Sequence, residues 1–112
     1  MAIKVSSRKG KARVLQNKTR DMIFKECLSP MCEAGDIRCA LMGEVGPDIV
    51  MSPLAQKHWR LGGIECKNQE KISIWSALKQ AEQYGEDSLL VFKRNRSPIY
   101  ACLRLDVLLK LL

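Results

Sequence analysis

With 112 residues, 46% of them hydrophobic and 28% charged, the chain has the size and balance of one folded domain around one core, which excludes a disordered composition. Nineteen basic residues against 12 acidic ones give a net charge of +7, which favours a polyanionic partner such as nucleic acid. No apolar run reaches the length of a membrane span and the charged start carries no apolar leader region, so a cytoplasmic protein with no membrane partner is expected.

Residues 1–10 are polar and basic, with Ser6, Ser7 and Gly10, and read as a flexible arm ahead of a single domain over 11–112. From Lys11 to Leu28 the apolar positions Val14, Leu15, Met22 and Ile23, widened by Phe24 and Cys27, recur at helical spacing, and Ser29-Pro30 stops the helix. Asp36 to Met42 alternates as a strand, with Ile37, Cys39 and Leu41 on one face. Gly43 and Gly46 punctuate the turn into a second strand that begins at Asp48. Ser52-Pro53, a reasonable N-cap with proline at the first helical position, opens a short helical or irregular insert through His58. Gly62-Gly63 leads into a third strand around Glu65, and a second helix is expected over Ser73–Tyr84, buried on Ile74, Leu78 and Ala81 and stopped by Gly85. Ser88–Lys93 and Ile99–Leu103 read as a hairpin turned at Asn95 and Ser97-Pro98, and Asp106–Leu112 as a closing helix. The order gives an α/β fold, a mixed central sheet of about five strands flanked by helices.

The five cysteines are odd in number and form no Cys-x-x-Cys pair, so reduced thiols are expected, with Cys66 and Cys102 as small core residues on strands. A zinc site from Cys27, Cys32, Cys39 and His58 has irregular spacing and is the weaker alternative.

The chemistry concentrates between Gly46 and Asn68. On a strand, Glu65 and Lys67 share one face while Ile64 and Cys66 take the other, and a neighbouring strand can bring Asp48 to the same cluster. Two carboxylates and an ammonium at one sheet edge suit a hard divalent cation and a phosphate. Asp48 and Glu65 are the candidate ligands for Mg²⁺, with Mn²⁺ as its substitute, and the Cys66 carbonyl can add a third oxygen. Lys67 is read as the cation that orients the attacking water and the scissile phosphate. Basic residues fall in two clusters, Arg8, Lys9, Lys11 and Arg13 near the start and Lys93, Arg94 and Arg96 in the late turn. Trp75 reads as a core or interface anchor, and His58 as a surface residue.

Gly46-Pro47-Asp48 followed by Glu65-Cys66-Lys67 resembles the PD-(D/E)xK nuclease signature, and the element order resembles the restriction-endonuclease-like core. The wider string, from Met42-Gly43-Glu44 through Ile64-Glu65-Cys66-Lys67-Asn68 and Ile74-Trp75 to Val91-Phe92-Lys93-Arg94-Asn95-Arg96, is similar to small phage-encoded nucleases of that superfamily and to Holliday junction resolvases. The resemblance implies that Asp48 and Glu65 are the metal carboxylates and Lys67 the catalytic lysine. It also implies a polar residue on the first helix near the metal. Resolvases of this kind place a glutamate there, whereas here Gln16 is the candidate, with Arg13 and Arg20 on adjoining turns. Glu44 in the Gly43–Gly46 turn reads as a solvated carboxylate, and Gln80 and Gln83 lie on the helix where related nucleases place a polar residue facing the site. The expected activity is Mg²⁺-dependent endonuclease cleavage of DNA, selective for branched DNA such as four-way junctions and carried out by a homodimer. Arg8, Lys9, Lys11, Arg13, Arg20 and Arg38 are the expected phosphate contacts. The rivals are a nicking or general DNA-processing nuclease and a DNA-binding module without turnover.

Overall fold

The computed structural model describes the backbone of residues 3–112 and the side chains from residue 10 onward. Helix α1 runs Ile3–Ile23 and widens into a π-helical turn, Phe24–Leu28, which ends at Ser29. The end falls where the sequence puts it. The start does not: from Ile3 the backbone of the expected arm is continuous with α1, in keeping with the helix propensity of Lys and Arg. The side chains of Arg8 and Lys9 lie outside the described residues. The buried stripe of α1 is also narrower than expected. Leu15, Thr19 and Ile23, one per turn, face the core, whereas Val14, Met22 and Cys27 are exposed. Thr19 satisfies itself inside, its hydroxyl donating to the Leu15 carbonyl at 2.8 Å.

Strands β1 (Ile37–Cys39) and β2 (Ile49–Met51) pair antiparallel, Ile37 opposite Met51 and Cys39 opposite Ile49. β1 is shorter than the Asp36–Met42 strand the alternation suggests. Asp36 closes a 3-10 turn, where its carboxylate accepts from the Glu33 N–H (2.8 Å) and the Ser52 hydroxyl (2.7 Å). Leu41 has left the sheet and is exposed. The Ser52 oxygen in turn accepts the Ala55 N–H at 3.1 Å and caps α2 (Pro53–His58), as its position before proline implies.

Strand β3 (Ile64–Asn68) pairs parallel with β4 (Leu89–Lys93) through a crossover containing α3 (Ile74–Ala81) and a 3-10 turn at Glu82–Tyr84. Gly85 ends that turn at a φ of +121°, a conformation that L side chains rarely adopt. β5 (Tyr100–Cys102) pairs antiparallel with β4, giving the expected hairpin, and α4 (Leu105–Leu111) closes the described chain.

The fold is α/β with five strands, but they form two small sheets, β1-β2 and β3-β4-β5, instead of one. The junction explains the break. The Asp48 N–H donates to the Ile64 carbonyl at 2.9 Å, beginning a ladder between β2 and β3. The next donor along β3, the Cys66 N–H, bonds to the Asp48 side-chain Oδ2 at 2.8 Å instead of to backbone. A side chain thus takes the place of a strand rung.

α1 covers one face of this arrangement. The main core lies beneath it, with Leu15, Ile37, Ile49, Ile64, Cys66 and Val91 among its buried members. α3 covers the other face with a much smaller core of Ala77, Ala81 and Leu90. Ile74 and Leu78 are only half-buried, and Trp75 is 83% exposed, which removes the core role the flanking isoleucines suggest. Among the described residues no helix is long and apolar enough to cross a membrane.

Candidate active site

The alternation of β3 divides its side chains by face. Ile64 and Cys66 are buried, and the Cys66 thiol approaches the Thr19 hydroxyl of α1. Burial is the main cause that pushes this thiol up to about 12, with the Asp48 charge adding to it, so it is an inert packing group. Glu65 and Lys67 are half-buried on the opposite face, where the register sets them beside Leu90 and Phe92 of β4.

Asp48 and Glu65 meet there. The Glu65 carboxyl is pushed from its ordinary 4.5 up to about 7, first by burial and then by hydrogen bonding to Asp48 and by its charge, with Lys67 pulling the other way. Two carboxylates therefore share a partly dehydrated position, and one ammonium close by offsets their repulsion only in part. Asp48 is held from two sides, by its N–H on Ile64 and by Oδ2 on the Cys66 N–H, which leaves Oδ1 outside that bond. Within a strand a residue's N–H and C=O point to the same edge, so the Cys66 carbonyl faces the Asp48 edge of β3. The donor set, two carboxylates and a carbonyl beside unrelieved negative charge, fits a hard oxygen-seeking cation. No group of three His, Cys, Asp or Glu side chains gathers among the described residues. Of the zinc candidates, Cys32 and Cys39 are buried while Cys27 and His58 are exposed, and all five cysteines are free.

Two grooves flank the N-terminal half of α1, and Ala12 borders both. One, of about 570 Å³, is lined by Arg13, Gln16, the 40–44 segment and Asp48, so Gln16 and Asp48 do share a space. The other, of about 510 Å³, is lined by Lys11, Lys67, Asn68, Lys71 and Asn95. Asn68 donates its amide to the Lys11 carbonyl at 3.3 Å and ties β3 to α1 there. Lys71 and Asn95 line this groove beside Lys67, a placement that the sequence did not indicate. Their neighbourhood follows from the parallel β3–β4 pairing, which brings the ends of both strands to one edge of the sheet.

The arginines expected on phosphate are placed differently from one another. Arg13 is exposed on the Asp48 groove and donates to the Ala40 carbonyl at 3.3 Å. Arg20 is held by Asp21 at 2.9 Å. Arg38 is held in a two-point pair by Glu44, with both N–O distances 2.9 Å. Glu44 is thus not a solvated turn carboxylate. Arg38 and the Leu41 N–H keep it near 2, well below its ordinary 4.5. Gln80 and Gln83 are both exposed.

Compared with known proteins, the chain matches no family model, no curated protein and no solved structure.

Proposed function

We propose that the chain is a Mg²⁺-dependent endodeoxyribonuclease of the restriction-endonuclease-like kind, acting on DNA with preference for branched forms. The observation that carries the proposal is the carboxylate pair: Glu65 is driven up to about 7 by burial and by Asp48, with Lys67 on the same face. A packing arrangement gains nothing from two carboxylates set side by side in partial burial, whereas a divalent cation relieves their repulsion.

Asp48 through Oδ1, Glu65, and the Cys66 carbonyl would hold the cation, which supplies Lewis acidity toward a phosphate and toward water. Lys67 contributes a fixed positive charge for the phosphate oxygens, where negative charge grows as the nucleophile attacks. Gln16, on the Asp48 groove, can accept and donate hydrogen bonds and so orient a water without adding charge. Lys11 and Lys71 add positive charge to that of Lys67 along the second groove, which suits the phosphates of a DNA strand. A homodimer would set two such sites about a two-fold axis, and sedimentation of the active species tests it.

The deciding experiment incubates the protein with linear, nicked, flap and four-way DNA, with Mg²⁺, with Ca²⁺ and with EDTA. Cleavage in Mg²⁺ alone, lost in Asp48→Asn and Glu65→Gln with DNA binding kept, is the expected result. Binding of every substrate without cleavage in any metal would leave the DNA-binding module.

A further inference from the structure

The turn between β1 and β2 carries three large apolar side chains outward, Leu41 at 69%, Met42 at 84% and Val45 at 97% exposure. The turn that holds them is nonetheless closely bonded. The Glu44 N–H donates to the Leu41 carbonyl (3.0 Å), and the Glu44 carboxylate accepts from the Leu41 N–H (2.8 Å) and from both Arg38 nitrogens. The Arg13 guanidinium donates to the Ala40 carbonyl, and the Tyr84 hydroxyl to the Gly46 carbonyl at 3.0 Å. Gly43 (φ +81°) and Gly46 (φ +128°) supply the two backbone conformations that reverse the chain. An apolar tip fixed in place loses little freedom on binding, so the contacts it makes are not offset by ordering.

Two observations identify the occupant. Leu41 and Met42 line the same groove as Asp48, so a phosphate held at Asp48 brings the rest of its molecule against the tip. Arg38 and Glu44 neutralise each other beneath the tip, and the exposed Arg13 guanidinium, bonded only to the Ala40 carbonyl among the described residues, adds positive charge on the α1 wall. With a divalent cation offsetting Asp48, the surroundings are uncharged to basic and suit a polyanion. The sugars and phosphates of DNA offer no apolar cover for leucine, methionine and valine. Base faces do, and they are open only where stacking is broken. We propose that residues 41–46 form an apolar wedge that enters the interrupted base stack at a DNA branch and so selects branched over continuous duplex. This rests on the nuclease proposal above and gives it a source of structural selectivity.

The test compares the full chain with the Leu41→Ser/Met42→Ser/Val45→Ser variant and with Met42→Ser alone, folding being checked by thermal unfolding. The substrates are a four-way junction and the corresponding linear duplex, each with 2-aminopurine at the branch position. In Ca²⁺ the parent should raise 2-aminopurine fluorescence at the branch, and the triple variant should not. In Mg²⁺ the ratio of branched to linear cleavage should fall about tenfold in the triple variant, on the scale of losing one stacked base, and by less in Met42→Ser. Equal slowing on both substrates, or a fluorescence rise retained without these side chains, overturns the wedge and leaves the nuclease standing. A parent that neither binds nor cuts any of the DNAs overturns both.

Discussion

The two faces of β3 put packing and the proposed chemistry on alternate residues of one five-residue strand. On the α1 face, Ile64 and Cys66 are sealed into the larger core. On the α3 face, Glu65 and Lys67 are half-buried beside a core of only three residues, and the α3 side chain nearest in character to a large anchor, Trp75, points to solvent. Burial on the first face is complete enough to silence a thiol. On the second it is partial, which shifts a carboxyl toward neutrality without removing it from reach. A period of two is thus sufficient to separate what holds the protein together from what is proposed to react, provided that the two sides are covered unequally.

Substitutions can break this separation or sharpen it. On the reactive face, Lys67→Ala should lower the single-turnover rate by about 10²–10³, the scale of removing one charge-stabilising group, while the unfolding temperature stays near that of the parent. Calorimetric titration should find Mg²⁺ affinity unchanged or tighter, since a competing cation has gone. On the packing face, Ile64→Ala should cost about 2–5 kcal/mol in urea unfolding, and the fraction still folded should cut DNA at the parental rate. Loss of specific activity in the folded fraction would show that the two faces are not independent.

A smaller effect comes from protons. Glu65 has its folded pKa raised from 4.5 to about 7, so its contribution to stability is fully present below 4.5 and is lost as pH rises through 7. In EDTA the parent should therefore lose stability across that window. Glu65→Gln should flatten the slope, and saturating Mg²⁺ should flatten it in the parent. The smallest effect belongs to the braced turn. Glu44 is held near 2 by Arg38, so its contribution is present above 4.5 and disappears as pH falls toward 2. Glu44→Gln should lower the unfolding temperature slightly at neutral pH and not at all in strong acid, as an exposed pair does.

The strand alternation that separates Glu65 and Lys67 from Cys66 was legible in the residues themselves, as were the Ser52 cap and the stop at Gly85, because each depends on neighbours within a few positions. The split into two sheets was not, since it turns on a side chain 18 residues away in the chain competing with backbone for the Cys66 N–H. The pairing of Arg38 with Glu44 was not legible either, because it exists only once the turn between them has closed. The exposure of Leu41 and Trp75 was hidden for a related reason. Periodicity marks which residues could be buried, and only the tertiary arrangement decides whether anything arrives to cover them.

Asp48 is at once the stitch between the sheets and one half of the carboxylate pair. A chain whose β1–β2 unit has not yet docked on β3 has no paired carboxylates to offer, however complete its remaining structure. On the nuclease proposal, a half-assembled copy among a cell's DNA would therefore hold no cutting centre, since the carboxylate pair exists only where the β1–β2 unit and β3 have joined.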